Sequence, residues 1–190
     1  MPWALGMAAV GAGALVYALF MASSKPPADG YARYAQGAMS KLEVVADAPD
    51  QPGQSLRDGN GEATSLAAYR GQVVLVNLWA TWCAPCVEEM PTLGALHRRF
   101  EGQGFAVLPV SIDEDAKIDD AKEMLTRLSG GALPFLVDPS RGIAFEARAA
   151  GVPTSILYDR GGVEIARLGG SADWNSPEAV ALIEAALAGE

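Results

Sequence analysis

Trp79-Ala80-Thr81-Trp82-Cys83-Ala84-Pro85-Cys86 carries the only two cysteines of the 190-residue chain, with two residues between them. The run before it, Val73-Val74-Leu75-Val76-Asn77-Leu78-Trp79, is β-branched and nearly all apolar, which predicts a buried parallel strand. After it, Val87 to Phe100 places apolar residues at 87, 90, 93, 96 and 100, one face of an amphipathic helix. A Cys-x-x-Cys pair at a strand-to-helix junction is a redox-site signature.

Residues three apart on a helix have Cβ atoms about 5–6 Å apart, near the separation a disulfide bridges. The pair can therefore cycle between dithiol and disulfide with little backbone movement. Cys83 sits at the helix N-terminus, where unpaired N–H groups and the macrodipole favour a thiolate. Pro85 removes one donor, so the Cys86 N–H is the partner expected for the Cys83 sulfur. Cys83 is thus the candidate attacking thiolate, and Cys86, a turn deeper, the resolving one. No Lys, Arg or His lies between Arg70 and His97, while Glu88 and Glu89 follow the pair. Glu89 shares the face of Cys86; a carboxylate there disfavours a thiolate but can exchange protons. A poorly stabilised thiolate makes a reducing couple, expected at about −200 to −270 mV. The alternatives are a structural bridge, or half of a zinc site for which His97, the only histidine, supplies too few partners.

Half of the residues are hydrophobic, enough for one domain with a core that needs no disulfide staple. Residues 1–24 carry no charge and residues 25–48 carry three of each sign, so the whole net charge of −9 lies in 49–190. That balance argues against a nucleic-acid partner, which requires clustered Lys and Arg.

Trp3 to Ala22 is uncharged and long enough to span a bilayer. A cleaved signal peptide competes, but no basic residue precedes the run and Phe20 occupies a cleavage position that needs a small residue. A buried core helix is the third reading. The division expected is an anchor over 1–24, a spacer over 25–41 with a short helix at Tyr31–Met39, and a globular domain over 42–190. Asp58-Gly59-Asn60-Gly61 predicts a hairpin turn between strands near Ser55–Arg57 and Ala63–Leu66. Phe105 to Ile112 reads as a second buried strand, with Asp113 as a cap after it. Lys117 to Leu128 reads as a helix stopped by Gly130-Gly131. A short strand at Pro134–Val137, a helix at Gly142–Ala150 and a hairpin of Thr154–Tyr158 with Val163–Leu168 follow. Ser176 caps a final helix, Pro177–Ala188. This order predicts an α/β domain, a central mixed sheet with helices on both faces.

Asn77-Leu78-Trp79-Ala80-Thr81-Trp82-Cys83-Ala84-Pro85-Cys86-Val87-Glu88-Glu89-Met90-Pro91, with Val152-Pro153-Thr154 far downstream, resembles the thioredoxin superfamily. Within it the pattern is most similar to the membrane-anchored TlpA/ResA/CcmG type of thiol:disulfide oxidoreductase. The resemblance covers about residues 42–188 and the anchor. It implies a thioredoxin fold facing the periplasm from the cytoplasmic membrane, with the family's insertion around 115–149. It implies that Pro153 is a cis proline beside the cysteines and that Val152 meets substrate backbone. On residues alone, a trans proline opening a strand is the commoner case. Thioredoxin has a buried Asp six residues before the first Cys, where this chain has Asn77. Glu89 matches the family's Glu after the motif and takes the proton-handling role.

The resemblance further implies partners: disulfide-bearing extracytoplasmic proteins of cytochrome biogenesis, either apocytochrome c or copper-site proteins of an oxidase, and a membrane thiol donor of electrons. No cofactor or metal is expected. Trp79 and Trp82 both have a core reading, but Trp82, beside an exposed thiol, is expected to shape the docking surface. His97 reads as an exposed helix residue, and Asp113-Glu114-Asp115 as a helix start rather than a cation site. Two other functions remain open. A copper chaperone of the same fold uses a wider Cys spacing and a distant His. A thiol peroxidase places Thr three residues before its Cys, whereas Thr81 lies two before Cys83.

Overall fold

The computed structural model describes residues 29–45 and 49–189. Eight strands form one mixed sheet: β1 (Leu42–Glu43), β2 (Leu56–Asp58), β3 (Ala63–Thr64), β4 (Val73–Trp79), β5 (Phe105–Ser111), β6 (Leu136–Val137), β7 (Thr154–Tyr158) and β8 (Glu164–Gly169). Their order across the sheet is β1-β8-β7-β4-β5-β6-β2-β3. The helices are α1 (Asp29–Ala32), α2 (Ala84–Arg99), α3 (Ile118–Ser129), α4 (Gly142–Glu146) and α5 (Pro177–Ala188). This is the thioredoxin arrangement, a central mixed sheet flanked by helices.

The apolar run before the cysteines becomes β4, buried along its whole length at the centre of the sheet. It is parallel to β5 on one side and antiparallel to β7 on the other. Continuous burial on both faces explains why it reads as an apolar run rather than an alternation. Asn77 is its one polar residue and pairs in register with Ser155 of β7.

Helix α2 leaves the end of β4 and carries the second cysteine back over the sheet. It packs closely on α3: a Cβ added to Gly94 would lie 2.9 Å from the Ser129 carbonyl oxygen. Helix α3 stops where expected, with Gly130 in the left-handed region at φ +64°. Ser176 Oγ accepts the Ala179 N–H and starts α5 as the sequence predicts.

Several elements are shorter than expected. The Tyr31–Met39 helix divides into α1 and a 3-10 turn at Gly37–Met39, because Gln36 is extended and Gly37 has φ +52°. Helix α4 ends at Glu146, and Arg148 at φ 52° prevents its continuation to Ala150. Strand β6 begins at Leu136, after Pro134, which has no N–H to give a ladder. Tyr31 and Met39 are buried in the core, so the described part of the spacer packs on the domain. The anchor expected at 3–22 lies outside the described residues. Among the described residues no helix is long and apolar enough to cross a membrane.

Candidate active site

Cys83 and Cys86 form a disulfide with a Cα–Cα distance of 5.3 Å. Cys83 is the N-cap of α2 and its Sγ accepts the Cys86 N–H at 3.3 Å, the partner expected once Pro85 withdraws its own donor. Cys83 retains 5 % exposure and Cys86 none, so the attacking thiol is less open in the disulfide than the sequence suggests. Trp82, beside it, is 64 % exposed, whereas Trp79 is wholly core.

The residues before Cys83 are tied down from β5. Asp113, expected to cap a helix, is instead buried beneath this loop. Its Oδ2 accepts the Thr81 N–H at 2.9 Å and the Ser111 hydroxyl at 2.8 Å, and its Oδ1 accepts the Thr81 hydroxyl at 2.8 Å. The carboxylate thus takes up the donors of the residue two before the nucleophile. The 3-10 turn that follows is preceded by Glu114, which makes no side-chain cap.

Glu89 is only 2 % exposed, not a solvated helix residue. It lies three residues beyond Cys86 on the same helix, a spacing that puts Cβ atoms about 5–6 Å apart. Its Oε1 accepts from Asn77 Nδ2 at 2.8 Å. Its Oε2 accepts the Ala172 N–H at 3.1 Å and the Trp174 Nε1–H at 3.2 Å. Burial raises its pKa from 4.5 to about 7, and the donors from Asn77, Ala172 and Trp174 hold back a larger rise. On its outer side a solvent-open cavity of about 370 Å³ is lined by Glu88, Glu89, Thr92 and Asp173, with Ala38 from the former spacer forming a wall. A buried carboxyl poised near neutrality, with a way out to water, can take and release protons.

The Val152–Pro153 bond is cis, as the resemblance implies and the residues alone do not. Pro153 is buried just ahead of β7, whose Thr154 pairs with Leu78 near the end of β4, while Val152 stays half-buried. His97 is half-buried rather than exposed, and its Nδ1 accepts the Val107 N–H at 3.3 Å. It lies eleven residues beyond Cys86 on α2, about 16 Å along a helix. His97 and the cysteines therefore cannot share a metal ion, and among the described residues no cluster of three metal-ligating side chains occurs.

Sequence reasoning did not foresee Ser155, Trp174 or the role of Asp113. Asn77 was visible as a lone polar residue in an apolar strand, and Ser155 as its counterpart in another. Nothing local marks Trp174, which reaches Glu89 across 85 positions of chain.

Comparison with known proteins places this geometry. The family model described as AhpC/TSA matches residues 44–165. The Thiol-disulfide oxidoreductase ResA of Geobacillus thermodenitrificans is 32 % identical over 133 residues, covering 70 % of this chain and 74 % of that protein. ResA of Bacillus subtilis is 28 % identical, covering 68 % of this chain and 70 % of its own length. The crystal structure of a thiol:disulfide interchange protein, DsbE, from Chlorobium tepidum is 28 % identical with a TM-score of 0.65, covering 74 % of this chain and 96 % of that one.

Proposed function

Because the chain belongs to the AhpC/TSA family and is a thiol-disulfide oxidoreductase of the ResA/DsbE type, we propose that it is a reductant of protein disulfides in cytochrome biogenesis. In this reading it is held at the cytoplasmic membrane by residues 3–22 and works in the periplasm. The observation that carries the assignment of roles is the capped pair: the Cys83 sulfur at the α2 N-terminus, next to an exposed Trp82, with Cys86 fully covered behind it.

The reduced Cys83 thiolate attacks a substrate disulfide. One Cys83–substrate S–S bond forms, and the other substrate sulfur leaves as a thiolate. Cys86 then loses its proton to the Glu89 carboxylate and attacks the Cys83 sulfur. The Cys83–Cys86 disulfide forms, the second substrate thiolate is released, and two electrons have passed to the substrate. A membrane thiol donor restores the dithiol by the reverse exchange. Trp82 and Val152 provide the surface on which the substrate chain lies, with the buried Pro153 fixing the turn behind Val152.

Replacing Cys86 with Ser and identifying what stays disulfide-linked to Cys83 tests the whole reading. Apocytochrome c, or copper-site proteins of oxidase assembly, are the expected captives. Captives unconnected with cytochromes overturn the substrate class, and capture by a Cys83→Ser variant instead reverses the two cysteine roles. A peroxide-consumption assay tests the thiol peroxidase alternative, against which stands the Thr81 hydroxyl, donated to Asp113 rather than offered to Cys83.

A further inference from the structure

Asn77 is paired unevenly. Its Nδ2 donates both to Glu89 Oε1, at 2.8 Å, and to Ser155 Oγ, at 2.9 Å. Its Oδ1, equally buried, has no hydrogen-bond partner among the described residues. A buried carbonyl oxygen left without a donor lowers stability, so something must hold the amide this way round. Glu89 does so. As a carboxylate it can only accept, and all three of its partners, Asn77 Nδ2, Ala172 N–H and Trp174 Nε1–H, donate.

The arrangement suits the ionised carboxylate and not the acid. Once Glu89 takes a proton, that hydrogen needs an acceptor. Oε2 faces two N–H groups, neither of which can accept. Oε1 faces Asn77, where Nδ2 would set hydrogen against hydrogen. A half-turn of the amide removes the conflict, because Oδ1 and Nδ2 occupy nearly the same volume. The orphaned Oδ1 then accepts from the acid and Nδ2 takes the unpartnered place, so one polar atom of the amide goes without a partner in either state. Ser155 permits the turn, since a hydroxyl can accept from Nδ2 in one state and donate to Oδ1 in the other. The two residues face each other across β4 and β7, so neither strand has to move.

Resting on the proton role of Glu89, we propose that Asn77 is a positioning residue whose side-chain amide turns over with the proton, giving Nδ2 to the carboxylate and Oδ1 to the acid while Ser155 reverses its hydrogen bond in step. The other groups around Glu89 do not replace it. Glu88 and Asp173 line the outer cavity and carry the same sign as Glu89. Cys86 precedes it on α2, β4 meets it through the neutral Asn77, and the neutral Ser155 of β7 bonds Asn77 from behind. An Asp at position 77 would accept in either state but, once ionised, offer Glu89 no donor and a like charge.

The test follows Asn77 and Glu89 in the full, reduced chain by NMR as pH is raised through the Glu89 carboxyl transition. A nuclear Overhauser contact from the Asn77 amide hydrogens to the Ser155 β hydrogens should be strong above the midpoint and lost below it. Glu89→Gln should show the low-pH pattern at every pH, because its amide nitrogen facing Asn77 demands Oδ1. A contact that persists through the titration, or follows pH in Glu89→Gln, overturns the proposal. Asn77→Leu, checked for folding by its melting curve, removes a hydrogen bond from both forms, the stronger one from the carboxylate, and should raise the Glu89 proton affinity a few-fold. A merely structural Asn77 would alter melting and leave that midpoint in place, which also overturns it. Cysteine reactivity that ignores the Glu89 midpoint, while the amide contact switches as described, defeats the proton role of Glu89 and not the turnover.

Discussion

Trp174 Nε1 donates to Glu89 Oε2 at 3.2 Å, joining the loop before the last helix to the helix that carries the cysteines. The indole is itself fully buried, so this donor is fixed in place and supports the ionised form of a carboxyl that burial opposes. Trp174→Phe keeps most of the apolar bulk and removes the donor. The Glu89 midpoint should rise by about one pH unit, since a hydrogen bond to a charged group contributes about 1.5–3 kcal/mol. Thiol alkylation of the reduced protein against pH reads that midpoint. A downward shift would refute the role assigned to the indole.

Glu89 also sets a pH dependence of stability. Its folded-state pKa of about 7 lies above the ordinary 4.5, so the folded chain binds this proton more tightly than the unfolded one. The stability it contributes is therefore complete below about pH 4.5 and is lost as pH rises through about 7. The separation corresponds to on the order of 3 kcal/mol. Denaturant melting of the oxidised protein should show wild type losing stability over that range relative to Glu89→Gln. Parallel curves for the two proteins would contradict it.

Asp113 holds Thr81 by both its backbone N–H and its hydroxyl. Thr81→Val removes one donor and should cost about 1 kcal/mol. Asp113→Ala strands the Thr81 N–H and the Ser111 hydroxyl as well, should cost about 3 kcal/mol, and should speed alkylation of Cys83, since the chain two residues before it loosens and a carboxylate that disfavours the thiolate is gone. Denaturant midpoints and alkylation rates measure both. Equal effects from the two variants would show that the carboxylate is not what fixes the loop.

Glu164 is fully buried and its carboxylate takes two hydrogen bonds from the Arg167 guanidinium, from Nε at 2.5 Å and Nη2 at 2.6 Å. Arg167→Met leaves that charge unpaired and should destabilise by about 3–5 kcal/mol. Pairing it with Glu164→Gln should recover most of the loss. A double variant no better than Arg167→Met would mean that the arginine acts through packing alone.

The couple should titrate against glutathione at about −200 to −270 mV. No cation stands in the sequence between Arg70 and His97, and the carboxylates of Asp113 and Glu89 are built into the two sides of the cysteine segment. A value near −120 mV, the strong-oxidant end, would exclude a reductant.

Much of this site is legible in the chain because it is local. Cys83, Pro85 and Cys86 lie within one turn of helix, so spacing alone places a thiol at the N-cap and predicts its N–H partner. Strand β4 and helices α2, α3 and α5 follow from apolar periodicity and from Gly130 and Ser176 at their ends. The errors fall where a side chain answers to distant groups. Asp113 has the look of a cap but turns back onto Thr81. His97 has a polar helix position but finds Val107 on β5. Tyr31 and Met39 sit in a segment of spacer composition, and the core takes them in.

The sequence by itself determined that two cysteines meet at the start of a helix behind a buried strand, because backbone spacing and hydrogen-bond geometry act over a few residues. Only the tertiary structure decided what surrounds them. Asn77, Ser155, Ala172 and Trp174 come from β4, β7 and the loop before α5, and no local pattern records their convergence with Glu89. The proton affinity of Glu89 is a sum of desolvation and donated hydrogen bonds, and both exist only once the chain has closed around it.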